Sequence, residues 1–298
     1  MNKRKIAVAL LTIFMLLVVS CSNDSTESDG SMATVVEEAS DQDTAQAQEV
    51  EEEAVEEVKE ELPPIKLDTE TLKNDSGKIM LRSMTNDKSG FYHATVAIVS
   101  PTGTVVFADP YMIPQDNGLI KADIVTVSHG HGDHMDIDYL QPYFDGLVEG
   151  TTSLIKAEQF TVKDVQVTGV AASHVAVLDL ANPTDIIYVF EIDGVRIVHL
   201  ADLGQEELTE DQLKQIGRVD ILFSNFSNVT GYGFGTQKTI NIVKQLKPTI
   251  VLPLHYQEDV IPEIQQALGI KDISEEETLL IDKDDLAEIT ELKYIFLK

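Results

Sequence analysis

Residues 128–134 read Ser-His-Gly-His-Gly-Asp-His and directly follow the apolar run at 124–127. Three histidines and one aspartate therefore lie within six residues. Imidazole nitrogens and carboxylate oxygens are the ligands that zinc and similar divalent metals prefer. Side chains two residues apart point the same way in an extended backbone, so we expect His129 and His131 to bind one ion together. The motif predicts a metal site at the end of a strand.

The remaining residues of this motif predict how the loop continues. We expect Gly130 and Gly132 to allow a tight bend. Asp133 and His134 are expected to begin a helix that runs to about residue 141 and to face a second ion. The alternative for Asp133 is a helix N-cap without any metal. Capping by Asp133 gives no reason for three histidines.

The run resembles the HxHxDH signature of the metallo-β-lactamase-fold hydrolases, and further signatures of that superfamily follow in order. His174 in Ala-Ala-Ser-His matches the lone histidine of the third motif. Asp202 in His-Leu-Ala-Asp matches the bridging aspartate, and His255 in Leu-Pro-Leu-His-Tyr matches the final histidine. The resemblance covers about residues 79–298 and implies a four-layer αββα sandwich, whereas periodicity alone predicts only an α/β or α+β fold.

This resemblance also implies a paired metal site. One ion would be held by His129, His131 and His174, the other by Asp133, His134 and His255, with Asp202 as the bridge. The expected ions are two divalent cations, zinc or manganese. Such a pair lowers the pKa of a shared water, and the hydroxide attacks a carbonyl or phosphoryl centre while Asp133 orients it.

Four other residues are candidates for supporting roles. Tyr256 follows the final histidine and is a candidate proton donor or substrate contact, or else a packed aromatic residue. His93 lies where related hydrolases often have a histidine that enters the pocket, and a loop histidine is the alternative. Asp109, in an Asp-Pro segment, resembles an aspartate that supports the metal site from behind. His199 matches a histidine that often precedes the bridging aspartate, where it supports the site or only packs.

Departures from the family pattern narrow the expected chemistry. Met135 and Asp136 stand where glutathione-thioester hydrolases have two glycines, and His131 stands where di-iron redox relatives have a glutamate. The Asp-Pro segment and the Pro-Leu-His-Tyr ending are most similar to ascorbate-phosphate-lactonase-like and phospholipase-D-like members. We expect a hydrolase acting on a small ester, lactone or phosphodiester. The competing hypothesis is a non-catalytic surface metal-binding lipoprotein that retains the fold.

The amino terminus predicts export and a lipid anchor. Lys3, Arg4 and Lys5 precede an apolar run at 6–20, a pattern typical of a secretory signal and too short to span a bilayer comfortably. The run ends Leu-Val-Val-Ser-Cys, which resembles the lipobox of bacterial lipoproteins, whose cysteine is diacylated. Cys21 is the only cysteine, so no disulfide can form within the chain. We expect a lipoprotein on the extracytoplasmic face of the membrane, and the alternative is an uncleaved anchor helix.

Charge divides the rest of the chain. Residues 22–64 carry fifteen acidic residues against the single Lys59, which predicts a disordered tether. The expected domains are a signal peptide at 1–21, a tether at 22–75 and a hydrolase domain at 76–298. Of the net charge of −29, residues 65–298 carry −18, which disfavours nucleic acid as a partner. A small-molecule substrate is expected, and the oligomeric state is not predicted.

Hydrophobic patterns locate the regular elements of this domain. An Asp193-Gly194 turn between two apolar runs predicts a β-hairpin. Helices are predicted at 209–217, 236–246 and 263–268. Strands are predicted at 79–84, 95–100, 104–108, 124–127, 153–157, 164–170, 186–192, 195–200, 220–223, 249–254, 279–281 and 294–297.

Overall fold

The computed structural model of the chain describes residues 64–85, 94–228 and 235–298. Strands dominate this part of the protein. Its first half contains β1 (Leu67–Asp68), β2 (Ile79–Ser83), β3 (Val96–Val99), β4 (Val105–Ala108), β5 (Leu119–Ile120), β6 (Ile124–Val127), α1 (Ile137–Phe144), β7 (Thr151–Leu154) and β8 (Gln159–Val162). Its second half contains β9 (Val165–Ala172), β10 (Asp185–Ile192), β11 (Val195–His199), α2 (Glu210–Ile216), β12 (Ile221–Asn225), α3 (Thr236–Leu246), β13 (Ile250–Leu254), α4 (Ile261–Leu268), β14 (Asp272–Glu276), β15 (Leu279–Ile281), α5 (Lys283–Glu288) and β16 (Lys293–Leu297).

Most of the strands form two mixed sheets, while β1 and β5 pair in a separate two-stranded sheet. One has six strands in the order β15-β2-β3-β4-β6-β7, and the other has eight in the order β14-β16-β13-β12-β11-β10-β9-β8. Strands β4, β6 and β7 run parallel, as do β11, β12 and β13. Because parallel neighbours end at the same edge of a sheet, the loops that follow them lie close together.

The two sheets pack face to face, because their strands alternate apolar side chains between two buried faces. In β10, Ile186, Tyr188 and Phe190 join the core between the sheets. Ile187 and Val189 of the same strand point to the opposite face and join the core beneath the helices. This period of two buries both faces of the strand.

Helices cover the outer faces of both sheets. On the six-stranded sheet, Tyr139 and Leu140 of α1 pack with Phe107 of β4. On the eight-stranded sheet, side chains of α2, α3 and α4 share one core, including Ile216, Ile240 and Ile264. The layers are therefore helix, sheet, sheet and helix. The predicted four-layer αββα metallo-β-lactamase sandwich is confirmed.

The helix after the histidine motif begins later than we expected. It spans Ile137–Phe144, and Asp136 is its N-cap, accepting a hydrogen bond from Tyr139 N at 3.1 Å. His134 instead lies in a turn, where its backbone N–H donates to His131 O at 3.1 Å. The prediction that Asp133 and His134 open the helix is wrong, because Asp136 has the extended backbone and the free carboxylate that an N-cap needs.

The folded part also begins earlier than the predicted boundary at residue 76. Leu67 and Asp68 pair with Leu119 and Ile120, and the Leu72 side chain is buried. Residues that we assigned to the end of the tether therefore contribute to the core against the six-stranded sheet. The sequence analysis also did not predict β5, β8, β14 and α5.

Several predictions fall on residues that the structure does not describe. The signal segment at 6–20, Cys21, residues 22–63 and His93 lie outside the described ranges. Among the helices that are described, none has the length and apolar composition needed to cross a membrane.

Phe107 provides a test of the packing between α1 and the sheet. Its ring is fully buried and meets Tyr139 edge-on at 5.5 Å between ring centroids. Phe107→Ala should lower the free energy of unfolding by about 3–5 kcal/mol, because it leaves a cavity in the core. Phe144→Ala is the control, since that side chain is 47% exposed, and it should cost about 1 kcal/mol or less. Urea denaturation followed by circular dichroism measures both, and equal losses would contradict the layer assignment.

Candidate metal centre

The predicted ligands lie at the carboxyl ends of four strands. Strand β6 leads into the histidine motif, β9 into His174, β11 into Asp202 and β13 into His255. A hydrogen bond from Ile186 N to Ser128 O at 3.0 Å joins the two sheets beside this motif. Side chains that are distant in the sequence therefore meet at one edge of the sandwich.

The structure brings the seven predicted ligands into two groups. His129, His131, His174 and Asp202 form the first ligand group, and Asp133, His134 and His255 form the second. Within each group, one nitrogen or oxygen atom per residue lies within 4.8 Å of the others. Most of these side chains are buried, but His131 is exposed and Asp133 and His174 are half-buried. The centre is thus enclosed on one side and open on the other.

The Asp202 carboxylate lies between the two groups. Its Oδ2 is 3.6 Å from His129 Nε2 and 3.3 Å from His174 Nε2. Its Oδ1 is 3.4 Å from His134 Nε2 and 3.3 Å from His255 Nε2. Asn225 Nδ2 also donates to Oδ1, at 3.4 Å. Each oxygen therefore faces the histidines of a different group, as a bridging carboxylate requires.

These distances fit divalent metal ions. In a tetrahedral zinc site with metal–ligand distances of about 2.0–2.1 Å, neighbouring ligand atoms lie roughly 3.3–3.4 Å apart. The four contacts of Asp202 span 3.3–3.6 Å, and His134 Nε2 faces His255 Nε2 at 3.0 Å. His129 Nε2 is buried and has no hydrogen-bond partner among the described residues. Imidazole and carboxylate are also the donors that zinc and manganese accept.

Asp109 supports the centre from behind, as the resemblance implied. Its Oδ1 accepts from Ser128 N, and its Oδ2 accepts from Ser128 Oγ and His134 Nδ1, each at 2.7 Å. Burial opposes ionisation of Asp109, but the facing charge of His134 and its hydrogen bond outweigh it and lower the pKa to about 2. His199 lies behind this carboxylate, with Nδ1 3.8 Å from Asp109 Oδ2.

Burial and charge also set the protonation states of the candidate ligands. Burial, followed by the positive charge of His134, lowers the pKa of His129 to about 3, so its ring is neutral and able to bind a metal. Burial opposes ionisation of Asp202, yet His134 and His255 hold its pKa well below the ordinary value. Burial opposes a charge on His134, but Asp202 and Asp109 raise its pKa well above the ordinary value. A cation between the same carboxylates would replace that proton.

The backbone is strained beside the centre, at residues other than glycine. Asp109, Ala201 and His255 have φ angles of 51°, 50° and 39°, a region that non-glycine residues rarely adopt. Neither Gly130 nor Gly132 has a positive φ, and a Cβ at Gly132 would meet nothing within 4 Å. The turn at 132–134 therefore does not use a left-handed glycine backbone, and the expectation that these glycines allow a tight bend stays a prediction. Strain of this kind often accompanies functional sites.

Two candidate catalytic residues are not among the grouped ligands. The ring of Tyr256 packs edge-on against Phe296 at 4.8 Å and lines a groove with Ile261 and Tyr294. This matches the packed-aromatic alternative for Tyr256. His93 lies outside the described residues, so its entry into the pocket stays a prediction.

Gly204 is a residue that the sequence analysis missed. Its N–H donates to Ser173 O at 2.8 Å, and a Cβ built on Gly204 would lie 2.0 Å from His174 O. The loop after Asp202 thus lies in direct contact with the backbone of His174, and no space remains for a side chain at residue 204. A glycine two residues after the bridging aspartate was the available sequence signal, but only the structure shows what it contacts.

Gly204→Ala should therefore displace His174 and weaken metal binding by the first ligand group by about 10–100-fold, the scale typical of residues that support ligands. Gly132→Ala is the matched control, since it lies inside the histidine motif and has room for a Cβ. Competition between each variant and a chromophoric zinc chelator measures the affinities. Equal affinities for the two variants would show that the Gly204 contact does not hold His174.

Comparison with known proteins agrees with this geometry. Residues 90–255, more than half of the chain, match the family described as a beta-lactamase superfamily domain. A UPF0173 metal-dependent hydrolase from Heliobacterium modesticaldum is 24% identical over 199 residues, covering 55% of this chain and 79% of the relative. One from Pelotomaculum thermopropionicum is 29% identical over 161 residues, covering 46% and 68%. The structure of a candidate Zn-dependent hydrolase from Thermotoga maritima shares the fold, with a TM-score of 0.54 and 22% identity over 74% of this chain and 100% of that chain. This chain belongs to the metallo-β-lactamase superfamily of metal-dependent hydrolases.

Proposed function

We propose that this protein is a binuclear metal-dependent hydrolase that cleaves a small ester, lactone or phosphodiester outside the cytoplasm. In this proposal the first ligand group binds one divalent ion, the second group binds another, and Asp202 bridges the two. Zinc is the expected ion and manganese the second candidate, because imidazole suits zinc and carboxylates suit manganese.

The observation that carries the proposal is the division of the Asp202 oxygens. Oδ1 faces His134 and His255, while Oδ2 faces His129 and His174, all at 3.3–3.6 Å. A carboxylate serving one ion would turn both oxygens, or only one, toward a single set of ligands. The seven ligand side chains also exceed what one four-coordinate ion needs.

Different residues of the chain have different roles in the proposed hydrolysis. When bound, divalent ions supply Lewis acidity and lower the pKa of water toward neutrality. Asp133 is half-buried on the open side, where its carboxylate orients the attacking water and accepts a proton. Asp109 fixes the ring of His134, and Ser128 contacts that of His129. No serine or cysteine nucleophile is required. Tyr256 has no role in this mechanism, because its ring packs on Phe296.

Metal titration tests the paired site. Inductively coupled plasma mass spectrometry on the zinc-saturated full chain should find two ions per chain, because each ligand group supplies three side chains besides the shared Asp202. Asp202→Ala should lower the affinity for both ions, since one carboxylate faces both groups. A single ion that saturates the protein would contradict the binuclear proposal.

Hydrolysis tests the activity itself. The zinc- or manganese-loaded chain should cleave a chromogenic lactone or phosphodiester. Asp202→Asn at saturating metal should lose several kcal/mol of transition-state stabilisation, on the order of 10³-fold in rate. Asp220→Asn is the matched control: Asp220 is also a buried aspartate, but it accepts from Arg196 N at 2.7 Å and belongs to neither ligand group. The control should keep its rate per folded molecule. Two bound ions without turnover of any tested ester, lactone or phosphodiester would favour the non-catalytic metal-binding alternative.

The location outside the cytoplasm rests on residues 3–21. Cys21→Ser should abolish lipid attachment, because a thioether to the diacylglyceryl group requires the thiol, and the protein should move from the detergent phase to the aqueous phase in a partition assay. Ser22→Ala keeps the thiol and should partition like the parent chain. Unchanged partitioning of the Cys21→Ser chain would show that residues 6–20 act as a helical anchor instead.

A further inference from the structure

Asp185, the first residue of β10, is a buried acid that no sequence motif marks. It pairs with Ala172 at the end of β9, two residues before His174. The next residue, Ile186, donates its N–H to Ser128 O at 3.0 Å. Asp185 therefore lies where the segment carrying His174 meets the segment carrying His129.

The carboxylate of Asp185 is buried without a hydrogen-bond partner among the described residues. Its side chain has 0% exposure, and neither Oδ1 nor Oδ2 makes a hydrogen bond within the described part of the chain. Burying an unpartnered acid opposes folding. Packing of the sandwich alone therefore gives no reason for an aspartate at this position.

The group that Asp185 faces is the back of a predicted ligand. Its Oδ1 lies 3.6 Å from His129 Nδ1, while Nε2 of the same ring points toward Asp202 Oδ2. A histidine that binds a metal through Nε2 carries its proton on Nδ1, and an acceptor behind that nitrogen fixes the ring. Ser128 Oγ, 3.0 Å from Nδ1, is one acceptor, because it gives its own proton to Asp109 Oδ2. Asp185 adds a carboxylate on the same side of the ring.

The second ligand group has a similar arrangement, in which the carboxylate lies closer to the ring. There His134 directs Nε2 toward Asp202 and donates from Nδ1 to Asp109 Oδ2 at 2.7 Å. Each group thus contains a buried histidine with Asp202 in front of it and a buried carboxylate behind it. Asp185 lies behind His129 as Asp109 lies behind His134, but at 3.6 Å instead of 2.7 Å.

We propose that Asp185 is a positioning residue of the first ligand group, which holds the His129 ring through Nδ1 and strengthens cation binding by His129, His131 and His174. The inference rests on the proposed function, because it requires a cation at that group. A carboxylate behind a ligating histidine orients the ring and makes it a stronger ligand, and losing such a partner typically weakens metal affinity about 10–100-fold.

Zinc titration of the full chain against a chromophoric chelator tests this role. His131→Ala removes an exposed ligand of the first group only, so the dissociation constant that it weakens belongs to that group. Asp185→Asn should weaken the same constant by about 10–100-fold and leave the other unchanged. In the His131→Ala background, Asp185→Asn should not alter zinc binding by the second group. Asp220→Asn, another buried aspartate, should change neither constant.

Thermal unfolding of the metal-free chains supplies a second measurement. Because Asp185 makes no hydrogen bond to any described residue, Asp185→Asn should not lower Tm, and Asp185→Leu should leave it unchanged or raise it. A residue with a purely structural role would lower Tm in both variants and leave zinc affinity unchanged in the molecules that fold. Zinc affinity should therefore fall while the Tm of the metal-free chain stays the same or rises.

The outcomes separate this inference from the proposed function. If the parent chain binds two zinc ions and Asp185→Asn binds both as tightly, the positioning role is wrong while the paired site stands. Equal weakening of both ions, or loss of folding in both metal-free variants, also overturns it. If the parent chain binds no zinc, the proposed function fails and this inference fails with it.

Discussion

The rest of the structure depends on one buried carboxylate, that of Asp202. Its side chain is 2% exposed, and four histidine rings from three separate segments face its oxygens at 3.3–3.6 Å. A buried charge opposes folding unless opposite charge and hydrogen bonds compensate for it. The lowered pKa of Asp202 shows that the histidines do so. The arrangement holds only while four strand ends keep their relative positions, which is what the apolar core between the two sheets ensures.

The sandwich supports a centre that is unfavourable by itself. Asp109, Asp185 and Asp202 are buried together at one edge, and Asp109, Ala201 and His255 adopt strained backbone angles there. Each such angle costs about 1–3 kcal/mol. Continuous apolar strands such as β10, which is buried on both faces, offset these terms. The polar centre therefore lies at the ends of the strands, where their regular pairing is already complete.

Local patterns in the sequence predicted what depends on local chemistry. The bounds of α3 match the prediction, and the Asp193-Gly194 turn has the two positive φ angles that its residues favour. The seven candidate ligands were found from spacing and resemblance, and the structure brings all of them into two groups. Contacts between distant segments were not predictable. The start of α1 depended on which of the neighbouring aspartates, Asp133 or Asp136, caps the helix. A side chain at residue 204 is excluded only because the backbone of His174 lies against it. Strand β14 was missed because its acidic residues resemble a loop and its pairing with β16 is non-local.

Burial divides the candidate ligands into an enclosed set and an open set. His129 and His134 are enclosed, and each has buried carboxylates on both sides. His131 and Asp133 lie on the open side, next to solvent. The loop after His174 carries aliphatic side chains outward, with Val177 76% exposed, yet its base is fixed by the hydrogen bond from His174 N to Thr184 Oγ1 at 3.0 Å. Ser173 Oγ also donates to Val177 O at 2.9 Å, so the backbone of the loop is tied to the residue that precedes His174. The exposed side chains of this loop can therefore vary in sequence while the buried side of the centre keeps one geometry.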